Sequence, residues 1–107
     1  MTYQIKITDQ ANQDLRGIFE YIAYELQELQ TAIGQLDRLE KEINSLNQMP
    51  ERYRIYDREP WRSRNLHIMP VDNYLVFYVP DNNTQTVSVV RIFYGRRDID
   101  TQLIESN

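Results

Sequence analysis

Ten of the twelve basic side chains in this 107-residue chain are arginines, and the charges are unevenly spread. Residues 51–97 hold eight basic and five acidic side chains, or +3; residues 1–50 hold four basic and eight acidic ones, or −4. Arginine presents a planar fork of donors that suits bidentate contact with a phosphate or a carboxylate. The second half can therefore offer an anion-binding surface on a protein whose net charge is −4. The competing reading is that these arginines solvate strands and pair with Asp and Glu. Arg91 poses the choice most sharply, because it sits between apolar neighbours in Val89-Val90-Arg91-Ile92-Phe93. Alternation places it on one face with Val87, Val89 and Phe93, either as an anchor for a target or with its stem packed and its guanidinium on a carboxylate.

Other reactive side chains are sparse. His67 is the single histidine and is either a structural residue or a general base, a role that needs an aligned partner. Glu40 and Glu42 are two apart on a helical segment and point to different faces, so they do not pair for acid–base work. With no cysteine there are no disulfides, thiolate metal sites or cysteine nucleophiles. No His/Asp/Glu spacing suggests a metal, and no glycine-rich loop suggests a nucleotide. The expectation is a chain without metal or cofactor.

The elements that must position these residues are legible from periodicity. Residues 3–7 alternate apolar and polar, as a half-buried strand does. Thr8 is placed to cap a helix from about Asp9 to about Leu29, with Asp9 in its positive first turn. Ala11, Leu15, Ile18, Ile22, Leu26 and Leu29 form its buried stripe. With Thr31 as N-cap, a second helix is expected from about Ala32 to about Asn47, bearing Leu36, Leu39, Ile43 and Leu46; the short joint predicts an antiparallel hairpin. Glu25, Glu28, Arg38, Glu40 and Lys41 fall on the wet faces.

Residues 50–61 show neither period and read as a loop tacked down by Tyr53, Tyr56 and Trp61. Strands are expected at about Ser63–Met69, Tyr74–Val79 and Thr86–Tyr94, joined by turns at Pro70–Asn73 and Pro80–Thr84. Gly95 breaks the last strand, and one helical turn is expected around Ile99–Ile104. Strands and helices are grouped rather than alternating, which predicts one α+β domain over 1–107: β-α-α-β-β-β, a helical hairpin on a mostly antiparallel twisted sheet. Residues 1–8 lack the pattern of a secretion signal and no apolar run approaches the ~20 residues of a membrane span, so a cytoplasmic protein without a membrane partner is expected.

This order resembles the RelE/ParE superfamily of toxins from type II toxin–antitoxin systems. Three segments carry the resemblance: Ile7-Thr8-Asp9-Gln10-Ala11 leading to Asp14-Leu15 and Ile18; Met49-Pro50-Glu51-Arg52 followed by Asn73-Tyr74-Leu75-Val76-Phe77-Tyr78; and Val89 through Asp98. The superfamily shares a fold but not a target. Its RelE-like group cuts messenger RNA on the ribosome; its ParE-like group inhibits DNA gyrase and needs no nuclease centre. Metal-free RNA cleavage needs a base, an acid and cations around the phosphorane. The resemblance implies Arg97 as the arginine after the closing strand, with Arg64, His67 and Tyr94 completing a nuclease set. Leu103 stands where a tyrosine is expected, and the two lysines, Lys6 and Lys41, are few for approaching ribosomal RNA. Tyr94 could substitute as the acid, although its parity with Val90 and Ile92 predicts a core tyrosine.

These departures tilt the expectation toward a ParE-like gyrase poison that contacts its target through Arg91, Arg96 and Arg97. The alternatives are an mRNA interferase and an inactive relative that only binds its antitoxin. The resemblance also implies a cognate antitoxin, of ribbon–helix–helix or similar type, docking on the exposed side of the sheet and in the groove beside the hairpin. Operator DNA would be read by the antitoxin alone.

Overall fold

In a computed structural model that describes residues 2–95 and 99–104, the order is β1 (Gln4–Ile7), α1 (Asp9–Glu20), α2 (Leu29–Asn44), β2 (His67–Val71), β3 (Tyr74–Asp81), β4 (Thr86–Tyr94) and α3 (Ile99–Ile104). The sheet order is β1-β4-β3-β2, with β1 parallel to β4 and the other pairs antiparallel. The α+β class and the mostly antiparallel sheet are as expected.

Thr8 caps α1: its hydroxyl accepts from the Ala11 amide at 3.2 Å and donates to the Val90 carbonyl at 3.3 Å. One side chain thus starts the helix and ties it to β4. Below the helices, Ala11, Leu15, Leu39, Ile43 and Leu46 pack on Met69, Val76, Tyr78, Val87, Val89 and Ile92. The exit of α2 runs through a 3-10 turn, Ser45–Asn47, and the Arg52 guanidinium donates to the carbonyls of Ser45, Gln48 and Met49 around it.

The hairpin departs from its expected register. The α-helix stops at Glu20, and Tyr21–Glu25 form a π-turn in which the Leu26 amide reaches back to the Tyr21 carbonyl at 3.0 Å. The wider turn takes in an extra residue and rotates the residues after it off the buried stripe. Ile22 and Ala23 stay buried, while Leu26 and Leu29 are exposed rather than core. Gln27, at φ 54°, makes the link, so α2 starts at Leu29 under a Glu28 cap, and Thr31 lies inside the helix instead of capping it.

The strands also shift. β2 begins at His67, not Ser63, and residues 57–65 turn before it, so Arg64 is not a strand residue. Pro70 and Val71 remain in β2 and Pro80 in β3, leaving tighter hairpins; Asp72 (φ 54°) makes the first. In β4, Phe77 pairs with Arg91 and Tyr78 with Val89, so Val90 is an unpaired bulge residue. A bulge reverses which face each later side chain takes. Val87, Val89 and Ile92 face the helices, whereas Phe93 joins a second cluster on the other face; Arg91 therefore does not share a face with Val87 and Val89.

That second face is not bare. Tyr56, Trp61 and Leu66 of the connection before β2, with Leu103 of α3, cover Ile68, Phe77 and Phe93. The expected loop anchors hold, and among the described residues they cover part of the sheet face expected to lie open to an antitoxin.

Arg91 settles as an ion pair. Its Nε lies 2.8 Å from Asp14 Oδ2 and its Nη2 donates to Oδ1 at 3.2 Å, with both side chains nearly buried. Asp14 Oδ2 also accepts the Ile92 amide at 2.9 Å. Removing the carboxylate takes two bonds from a nearly buried guanidinium and one from a strand amide, so Asp14→Ala is expected to cost about 3 kcal/mol in urea denaturation followed by circular dichroism. Asp14→Leu with Arg91→Met should lie closer to the wild type than Asp14→Ala does, since a hydrophobic pair can replace a buried ionic one. A loss below about 1 kcal/mol for Asp14→Ala would contradict the pair's role.

A second, exposed clamp joins α2 to the β2–β3 turn: Asp72 accepts from Arg38 Nε at 2.7 Å and Gln35 Nε2 at 3.0 Å. The Arg38 contact first, then Gln35, holds the Asp72 carboxyl below the usual carboxylate range. A depressed folded-state value gives stability that is present above the unfolded value near pH 4 and is lost as pH falls through the folded one. Asp72→Asn should therefore be slightly less stable than wild type at pH 7, with the gap closing below about pH 4 in parallel urea titrations.

Candidate functional site

The β4 bulge, the Thr8 cap and the connection before β2 together leave one cleft beside the buried pair. It has a volume of about 320 Å³ and is lined by Trp61, Leu66, Val79, Val90 and Leu103, with Thr8, Gln10, Arg64 and Arg91 as its polar members. The Arg64 guanidinium lies over the Trp61 ring, 5.2 Å from its centre, and Arg91 lies 5.6 Å from the centre of the Phe93 ring. Such stacking holds an arginine flat against its ring. Among the described residues the lining includes no carboxylate, histidine or tyrosine. The described walls suit an apolar group.

The sequence-derived candidates are dispersed. Arg64 and Arg91 share the cleft. His67 lies on the helix-facing side of the sheet, 3% exposed and stacked on Tyr78 with ring centres 5.4 Å apart. Its Nδ1 donates to the Tyr53 carbonyl at 2.8 Å, and its Nε2 is 3.2 Å from Asn65 Oδ1. Both ring nitrogens are engaged, which is the structural reading. Tyr94 is not a core tyrosine: it is 37% exposed and packs edge-on against Tyr74. The register pairs Tyr94 with Tyr74 and His67 with Tyr78, four positions along β3, or about 13 Å. Arg96 and Arg97 lie outside the described residues.

Two functional-looking residues escaped the sequence reading. Tyr78 donates to the Pro50 carbonyl at 2.6 Å, and burial pushes its phenol well above the usual tyrosine range, so it is a fixed donor and not an acid. Asp14 had a detectable signal. It is three residues after Ala11 and four before Ile18, on the apolar stripe of α1, just as Arg91 is a charge within an apolar strand. Opposite charges at two buried positions predict each other.

Among the described residues, no group of three or more His, Asp or Glu side chains is placed to hold a metal, and no helix is long and apolar enough to cross a membrane.

Two helices over a bulged four-stranded sheet, closed on its far side by a short helix, make the fold of the RelE/ParE toxins. The chain superposes on the chromosomal ParDE system of Pseudomonas aeruginosa with a TM-score of 0.70, at 14% identity over 87% of this chain and 96% of that one. Against a mutant Escherichia coli RelE toxin in the free state the TM-score is 0.65, at 11% identity over 99% and 94%. The archaeal RelE–RelB complex of Pyrococcus horikoshii gives 0.60, at 15% identity over 92% and 100%. No curated protein matches in sequence.

The family profile described as "ParE toxin of type II toxin-antitoxin system, parDE" matches residues 5–99. The chain belongs to that family: it is the toxin of a type II toxin–antitoxin system.

The different roles of His67 and Arg64 are measurable. His67→Ala removes two hydrogen bonds and a ring stack and should cost about 2 kcal/mol, against under about 1 kcal/mol for Arg64→Ala, whose contact is at the surface. The emission of Trp61, the single tryptophan, should change with Arg64→Ala. Equal stability losses for the two variants would show that the histidine is not the structural member.

Proposed function

We infer that this toxin is ParE-like in action: it inhibits growth by binding and poisoning DNA gyrase, and a cognate antitoxin neutralises it. The observation that carries this reading is the dispersal of Arg64, His67 and Tyr94, the nuclease candidates among the described residues. Arg64 lies in the cleft, His67 is spent on Tyr53 and Asn65 on the opposite face, and Tyr94 lies about four positions further along the sheet. General acid–base catalysis needs its two groups within hydrogen-bond reach of one phosphate. A binding toxin needs no such convergence.

Charge supports the same direction. Cutting mRNA on the ribosome means docking into a dense field of phosphate, where affinity comes from cationic surface. This chain carries −4 overall, and its hairpin, residues 9–47, holds eight acidic side chains against three basic ones. Similarity to the ParDE and RelE–RelB systems supports an antitoxin partner, and DNA reading at an operator would belong to that partner.

Purified toxin incubated with gyrase, ATP and supercoiled plasmid should yield linear DNA after protein denaturation. Primer extension on cellular mRNA after toxin expression should show full-length products. Cuts positioned by codon, with plasmid left intact, would replace this reading with the ribonuclease one.

A further inference from the structure

The far end of the hairpin carries apolar surface that the rest of the fold does not use. Tyr21, Tyr24, Leu26, Leu29 and Ile33 are each between 41% and 66% exposed. They cluster for a structural reason. The π-turn at Tyr21–Glu25 rotates Leu26 off the buried stripe, and Gln27 then sends the chain straight into α2, where Leu29 and Ile33 are one helical turn apart. Behind them Ile22, Ala23 and Ala32, with Ile18 and Phe19 against them, form a small core that joins the main one through Ile18. The tip is thus a supported knob with exposed apolar side chains.

Its charge has one sign. Residues 17–37 contain Glu20, Glu25, Glu28 and Asp37 and no Lys, Arg or His. Glu20, Glu25 and Glu28 are exposed around the apolar crown. Apolar residues rimmed by a single charge mark an interaction surface, and complementary charge selects the partner. A second copy of this chain would set carboxylates against carboxylates. We propose that the hairpin tip is a docking knob for a basic amphipathic helix of a partner protein, which lays its apolar side on Tyr21, Tyr24, Leu26 and Leu29 and its Lys or Arg side chains beside Glu25 and Glu28.

This proposal is independent of which target the toxin inhibits. The probe is a synthetic amphipathic helix with leucines on one face and lysines and arginines on the other, titrated into the full-length isotope-labelled chain. Amide shifts should be confined to residues 20–33. Affinity should fall about tenfold in Tyr24→Ser/Leu29→Ser and similarly in Glu25→Lys/Glu28→Lys. Both double variants should fold, because all four side chains are exposed, and circular dichroism checks this; Leu26→Ser is the substitute if either fails. Shifts spread along the whole acidic hairpin, or unchanged affinity in the serine variant, would reduce the effect to non-specific charge and overturn the proposal. Self-association of the free chain that Leu29→Ser abolishes would overturn it in favour of a homodimer contact.

Discussion

The contact between α1 and β4 depends on one carboxylate. Asp14 takes both arms of the Arg91 fork and the Ile92 amide, so it binds the side chain and the backbone of the closing strand at once. Without it the bulge at Val90 would leave a buried cation and an unpaired amide where the strand changes face. Thr8 works from the other side of the same joint, with its hydroxyl shared between the helix start and the Val90 carbonyl. Two polar residues near the start of α1 therefore lock the irregularity in β4 that gives the sheet two separate clusters.

That irregularity decides which residues of β4 share a face. A regular β4 would keep Val89, Arg91 and Phe93 on one face and Val90, Ile92 and Tyr94 on the other. The bulge instead sends Ile92 to the helices and Phe93 to the far side, and opens a cleft between Trp61 and α3. The nuclease candidates His67 and Arg64 are separated elsewhere, by the alternation of β2 and the turn before it. His67 faces the helix side, Arg64 faces the cleft, and no small rotation of a side chain carries one through the sheet to the other.

Most of the fold was legible in the sequence and much of the site was not, for one physical reason. Periodicity reports which face a residue takes only while the element stays regular. It located β1, α1, the Thr8 cap, β4 and the class of the sheet, because those stretches keep a period of 2 or 3.6 over most of their length. It failed beyond Tyr21, where a π-turn takes in an extra residue, and beyond Val89, where a bulge does the same in a strand. Leu26, Leu29 and Tyr94 were assigned to the core for this reason. The partner of Arg91 was readable in principle, since Asp14 interrupts an apolar stripe as Arg91 interrupts an apolar strand. The placement of Arg64 was not, because residues 57–65 turn without any repeat.

A group that performs chemistry must keep some bonding capacity unmet until the substrate arrives, which is why perturbed and unsatisfied polar groups gather at active sites. Among the described residues, three polar groups with chemical potential are spent. His67 is held by Tyr53 and Asn65, Tyr78 by Pro50, and Arg91 by Asp14. Among the described residues no buried side-chain nitrogen or oxygen lacks a partner. The unmet capacity is apolar and lies outside, on the hairpin tip, ringed by carboxylates. Capacity spent inside and held open outside leaves the hairpin tip as the surface through which this toxin can meet another macromolecule.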